Sequence, residues 1–356
     1  MKRTYLIIVI LILCLGLSAY EIGSFSKTFV DPARNNRQIP TTIFYPIDAI
    51  NPLSTYPYII YGHGWGGSCD SYGYLTNAVV NLGWIIVYPR TEESRIFYNT
   101  TNLARDMAFL KDAFYGENLN FTSPLYNQIE PLAIVGGFSM GGACAVVAAS
   151  FEPEFASLVT LAAAPITLLN LYPSSINMAL SVTMPSVTIS GSIDGTAPPN
   201  ANQVPIYNNL ASVYKSFVSL TGQDHPNFYN NPVIYQFLEP WFSYVRTGSV
   251  YYIDQYEALL AGYPASVLTY QLMDNLVIDL EAPPNVVIDC SGTSVTLSWD
   301  RILEATGYRI FAGGLPQGGF TDVTSQGVIT TGSRMNWTAS NSGLERQFYY
   351  LKAIRE

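Results

Sequence analysis

Between about residue 25 and residue 246, short runs of β-branched and aromatic residues alternate with longer stretches in which apolar residues recur at helical spacing. The short runs are Thr41–Tyr45, Tyr58–Tyr61, Trp84–Tyr88, Leu132–Val135, Ser157–Leu161, Ser186–Ser190 and Ser216–Leu220. Several are apolar throughout, which is what strands covered on both faces require. The spacing predicts helices over Ser71–Leu82, Thr101–Phe114, Met140–Ser150 and Pro232–Val245, and Tyr251–Asp274 also reads as helical and closes the domain. This alternation predicts an α/β fold, a mostly parallel, doubly wound sheet with helices on both faces.

After Asp274 the pattern changes from period 3.6 to period 2. Glu281-Ala-Pro-Pro-Asn285 reads as a linker, and Ser294–Trp299 and Tyr308–Phe311 alternate as half-buried strands do. With Pro283-Pro284 at its start, Trp299 closing an alternating strand and Gln347–Ile354 at its end, this tail resembles a fibronectin type III or immunoglobulin-like β-sandwich. At the other end, Lys2 and Arg3 precede the apolar run Tyr5–Leu17, too short for the ~20 residues of a spanning helix. It reads as a signal peptide cleaved near Ala19, with a lipoprotein anchor at Cys14 or an uncleaved anchor as alternatives. The expected organisation is therefore a leader over 1–19, a catalytic domain over 20–280 and a sandwich over 281–356, in an exported protein.

Composition narrows the partners. The 356 residues are 49% hydrophobic and only 12% charged, which excludes disorder for most of the chain. A net charge of -9 with no basic run excludes nucleic acid and anionic membrane surfaces. A neutral or apolar substrate is expected, polymers included. Export would leave Cys69, Cys144 and Cys290; with no C-x-x-C pair, no zinc site is predicted. A Cys69–Cys144 bridge is conceivable, but buried free thiols are the favoured reading.

The chemistry is carried by Leu132–Gly142, an apolar strand running into Gly137-Phe138-Ser139-Met140-Gly141 and then into the small-residue helix Ala143–Ala149. Strand, G-x-S-x-G and helix in that order form a nucleophile elbow, which stands the serine at a helix N-terminus. A serine hydroxyl needs a general base, and the chain holds two histidines, His63 and His225. The order nucleophile, acid, base excludes His63 and leaves His225, just after the last strand. The acid must lie between them; Asp194 sits in the glycine-rich loop after Ser186–Ser190. Asp224 is its rival, but the carboxylate would have to curl back onto the ring of its own neighbour. Tyr61-Gly-His-Gly-Trp-Gly-Gly-Ser68 follows an early strand, where the backbone N–H of Trp65 can join that of Met140 as an oxyanion hole, with His63 holding the loop's shape.

Together His63-Gly-Trp-Gly66, Gly137–Gly142, Asp194 and His225 resemble an α/β-hydrolase of the group containing polyester hydrolases, cutinases, dienelactone hydrolase-like enzymes and platelet-activating factor acetylhydrolases. The resemblance covers about residues 25 to 246 and implies carboxylic ester hydrolysis through an acyl-enzyme, with no metal or organic cofactor. Two departures stand out: His63 replaces the usual proline of a Pro-Gly-aromatic loop, and a C-terminal disulfide common in the group has no counterpart. Only Ala162–Pro185 separates the sixth strand from the acid strand, too little for a large cap. An open groove is expected, with Trp65, Phe138, Phe228 and Tyr229 as apolar walls. The competing readings are a same-fold peptidase or acyl transferase, and a surface protein in which the sandwich binds carbohydrate or the cell surface.

Overall fold

A computed structural model describes residues 20–48, 51, 53–164, 174–226, 228–274, 278–279, 283–291, 293–302, 305–314, 320–331, 334–340 and 348–355. The expected leader over 1–19 and part of the segment expected to carry any lid lie outside these. No helix among the described residues is long and apolar enough to cross a membrane.

The N-terminal unit is built on nine strands: β1 (Glu21–Asp31), β2 (Arg37–Ile47), β3 (Tyr56–Gly62), β4 (Ile85–Pro89), β5 (Ile129–Phe138), β6 (Ser157–Leu161), β7 (Ser186–Gly191), β8 (Tyr214–Leu220) and β9 (Leu268–Asp274). They form one sheet in the order β1-β2-β4-β3-β5-β6-β7-β8-β9. Strands β1, β2 and β4 pair antiparallel, while β4, β3, β5, β6, β7 and β8 run parallel. The helices are α1 (Gly73–Asn81), α2 (Thr100–Tyr115), α3 (Met140–Phe151), α4 (Ser175–Met178), α5 (Gln203–Asn209), α6 (Pro232–Thr247) and α7 (Val250–Gly262). Every residue of β3, β4, β6 and β7 is buried, because helices cover both faces. The crossover of β3 before β5 puts their C-terminal ends side by side at the centre, and the loops leaving such ends are where this architecture places ligands. This is an α/β-hydrolase fold.

Helices α4 and α5 lie outside the predicted runs, and the sheet differs from the sequence pattern at both edges. Strand β1 lies outside the predicted runs, because Gly23 and Lys27 interrupt the face that carries Phe25 and Phe29; it persists as an edge strand zipped along its whole length to β2. The turn between them is made by Asn35 and Asn36, both in the left-handed region at φ 54 and 53. The helix predicted over Tyr251–Asp274 ends at Gly262. Pro264 disfavours helix in the residue before it, and the β-prone stretch from Leu268 becomes β9 beside β8.

Contacts divide the chain into two compact units between Gln271 and Leu272, within β9 and ahead of the expected linker. The second unit has β10 (Ile278–Asp279), β11 (Val287–Ser291), β12 (Ser294–Trp299), β13 (Gly307–Gly313), β14 (Thr321–Asp322), β15 (Gly327–Thr331), β16 (Met335–Ser340) and β17 (Phe348–Arg355). They pair into two four-stranded sheets, β10-β17-β13-β14 and β11-β12-β16-β15. Trp299 and Trp337 from one sheet and Ile310, Leu351 and Ala353 from the other share one core, the arrangement of a β-sandwich.

Candidate functional site

Strand β5 ends at Phe138 and α3 begins at Met140, so the chain reverses through the single residue Ser139. That residue has φ 55 and ψ -120, a conformation rare for a side chain with a Cβ. Its backbone is held on both sides: the amide donates to Leu161 O at 2.9 Å, and its carbonyl accepts from Ala143 N at 3.1 Å and Ala164 N at 2.9 Å. The flanking glycines answer a close approach. A Cβ on Gly137 would lie 2.4 Å from the Gly141 carbonyl, and one on Gly141 would lie 2.1 Å from the Gly62 oxygen at the end of β3.

The loops after β7 and β8 bring the other two groups. Asp194 Oδ1 accepts from the amides of Thr196 at 2.9 Å and Ala197 at 2.6 Å, which fixes the carboxylate and leaves Oδ2 aimed at His225. The distance from His225 Nδ1 to Asp194 Oδ2 is 2.7 Å, and from His225 Nε2 to Ser139 Oγ it is 2.9 Å. All three side chains are buried. An ionised carboxylate can only accept, so the neutral ring carries its proton on Nδ1 and leaves Nε2 to accept from the serine. The arrangement can remove a proton from Ser139 and hold the resulting imidazolium beside a negative charge in a poorly solvated site.

Asp224 is not part of this ring-to-carboxylate line. Its Oδ1 accepts from the backbone amides of His225 at 2.7 Å and Gly195 at 3.2 Å. These two amides, His225 first, hold its carboxyl below the ordinary aspartate range.

Met140 opens α3, so its amide has no partner within the helix. Trp65 lies in the loop leaving β3, whose Gly62 and His63 carbonyls abut the first turn of α3. This loop is tied down from two directions, by Tyr72 and by Thr91. Gly64 N donates to Tyr72 Oη at 2.7 Å, and burial pushes the Tyr72 phenol up, so it stays neutral. The buried His63 ring faces Gly64 O through Nδ1 at 2.9 Å and Thr91 O through Nε2 at 2.8 Å. Thr91 Oγ1 in turn donates to Asp106 Oδ2 at 2.6 Å.

Of the predicted wall residues, Trp65 is 51% exposed, with its indole centred 6.4 Å from the Tyr98 ring. Phe138 is largely buried and packs 4.9 Å from the His225 ring and 5.0 Å from Tyr229. Phe228 corrects the prediction: it is fully buried and has no face to offer a ligand, so it is a packing residue. Half-buried Tyr229 beside it, 4.6 Å from Tyr72, is the aromatic that extends toward the surface. Tyr72, Thr91 and Asp106 carried no motif in the sequence. A threonine after a strand and an aspartate inside a helix are ordinary, and only their shared contacts distinguish them.

Cys69 and Cys144 are both buried and free, and Cys290 is exposed. Burial raises the thiols of Cys69 and Cys144, which suppresses the reactive thiolate. With a thiol-specific chromogenic disulfide, Cys290 is expected to react fast in the folded protein, and Cys69 and Cys144 only after denaturation. Three equally fast thiols would contradict this burial.

A family described as PET hydrolase-like matches residues 23–251. A protein named cutinase est1, from Thermobifida alba, is 26% identical over 202 residues, which cover 54% of this chain. The match spans 60% of the length of that relative.

Proposed function

The chain belongs to the PET hydrolase-like family, and on that footing we propose that it is a serine hydrolase of carboxylic esters. The observation that carries this reading is the unbroken line from Asp194 through His225 to Ser139, with gaps of 2.7 and 2.9 Å. Ser139 Oγ attacks the ester carbonyl carbon while His225 Nε2 takes its proton, and Asp194 holds the ring and the charge it acquires. The carbonyl oxygen becomes an oxyanion that accepts from the amides of Met140 and Trp65. The tetrahedral adduct collapses as His225 returns the proton to the leaving alcohol, which leaves an acyl-Ser139. Water, deprotonated by the same His225, then releases the acid and restores the serine. No metal or organic cofactor takes part in these steps.

The exposed indole of Trp65 and the rings of Phe138 and Tyr229 near the triad support a neutral or apolar acyl or alkoxy group. The protein is exported with 1–19 as its leader, and the sandwich serves attachment or spacing rather than chemistry. The test is hydrolysis of p-nitrophenyl esters from acetate to palmitate, beside peptide anilides. Ester turnover with a maximum at one acyl length is expected, without anilide cleavage. Cleavage of anilides alone would transfer the same triad to a peptidase.

A further inference from the structure

Strands β7 and β8 end in register at Gly191 and Leu220, yet the carboxylate and the imidazole that must meet lie beyond that point, on two separate loops. The sheet ladder no longer sets their separation there, and a catalytic contact tolerates a misplacement of only about 0.5 Å. Besides the acid–base contact itself, four bonds between described residues cross from one loop to the other. Ser192 N donates to Leu220 O at 2.9 Å, and Ile193 N donates to Gln223 O at 3.3 Å. Gly222 N donates to Ser192 Oγ at 2.9 Å. The outermost is Gly195 N to Asp224 Oδ1 at 3.2 Å, and the same oxygen accepts from His225 N at 2.7 Å.

We propose that Asp224 is a positioning residue of the triad: one carboxylate oxygen joins the amide next to Asp194 to the amide of His225 and so sets the distance between acid and base. This rests on the hydrolase reading above. Both bonds are charge-assisted, and they hold the Asp224 carboxyl below the ordinary aspartate pKa, which agrees with that. Both nitrogens of the His225 ring are taken by Asp194 and Ser139, so Asp224 acts through geometry and not as a second acid. Because the residue is exposed, losing it costs the fold little.

The experiment uses the full chain as wild type, Asp224→Ala and Asp224→Asn. It reads p-nitrophenyl butyrate turnover, the rate of Ser139 labelling by a fluorophosphonate, and the melting temperature. Asp224→Ala is expected to lower kcat and the labelling rate together by about tenfold, with KM and melting temperature nearly unchanged. Asp224→Asn is expected to restore most of both, because its amide oxygen keeps both bonds. An alanine variant as fast as wild type would overturn the proposal, as would equal losses in the two variants, since the charge and not the acceptor would then matter. A folded wild type that neither hydrolyses the ester nor takes the label would instead overturn the hydrolase reading itself.

Discussion

Ser139→Ala is expected to lower kcat for p-nitrophenyl butyrate by at least about 10,000-fold, or about 5.5 kcal/mol of barrier, and to abolish fluorophosphonate labelling. The hydroxyl is the atom that forms the acyl bond, so nothing nearby can replace it. Neighbouring residues of the elbow are glycine, phenylalanine and methionine, and Cys144 is buried one turn along α3 with its thiol pushed up. What survives should be the rate a water molecule reaches with the help of the oxyanion amides alone. Alanine fits the φ of 55 no worse than serine does, so the variant should melt within a few degrees of wild type. Turnover within about tenfold of wild type would mean that chemistry runs elsewhere, because losing a covalent nucleophile costs far more.

The second large effect is on stability. Asp106 is completely buried in α2 and receives Arg37 Nε at 2.8 Å, Arg37 Nη2 at 2.7 Å and Thr91 Oγ1 at 2.6 Å, with Arg34 Nη2 also 2.6 Å away. Arg37 also pairs with Glu92 at 2.8 Å, and these two carboxylates hold its guanidinium charged at any pH the fold survives. Asp106→Ala removes the carboxylate that both guanidinium groups share and leaves Arg34 with Asp31 and Arg37 with Glu92, which costs about 3 kcal/mol, the low end for breaking a buried pair. In a domain of this size that lowers the melting temperature by roughly 6–12 °C. Breaking this node also frees Thr91, whose carbonyl faces His63 and so helps hold the loop that carries Trp65. Ester turnover should therefore drop at temperatures where the variant is still folded. Thermal melts and kcat at 20 °C test both parts; an unchanged melting temperature would mean that solvent reaches the arginines and compensates them.

The seven predicted strands all form, since continuous apolar runs bounded by polar turns have few other ways to be buried. The four predicted helices form as well, with boundaries shifted by one or two residues. Strand β1 is not legible in the pattern because Gly23 and Lys27 interrupt the face that carries Phe25 and Phe29, and its pairing with β2 over eleven positions compensates for what its side chains lack. Strand β9 is hidden in the stretch Tyr251–Asp274, whose apolar residues keep a helical look although Gly262 and Pro264 interrupt it. At the site, Ser139, Asp194 and His225 could be picked out because two histidines, one elbow and one glycine-rich acidic loop leave few combinations. Phe228 was misjudged because a residue three positions from a histidine can face the site or the core, and only packing decides.

By itself the sequence determined the α/β architecture, the all-β tail, the elbow and the order of the residues around it. Each is a local matter: side-chain period, glycine where two backbones touch, and residue type at a strand's end. Only the tertiary structure decided that Asp224 binds two amides and not the imidazole ring. It alone decided that His63 hangs from Thr91, and Thr91 from an aspartate held by arginines of the first hairpin. The contacts of Asp106 join residues from 15 to 72 positions apart, at distances where tenths of an ångström matter. Their partners were ordinary polar residues until the sheet placed them within reach.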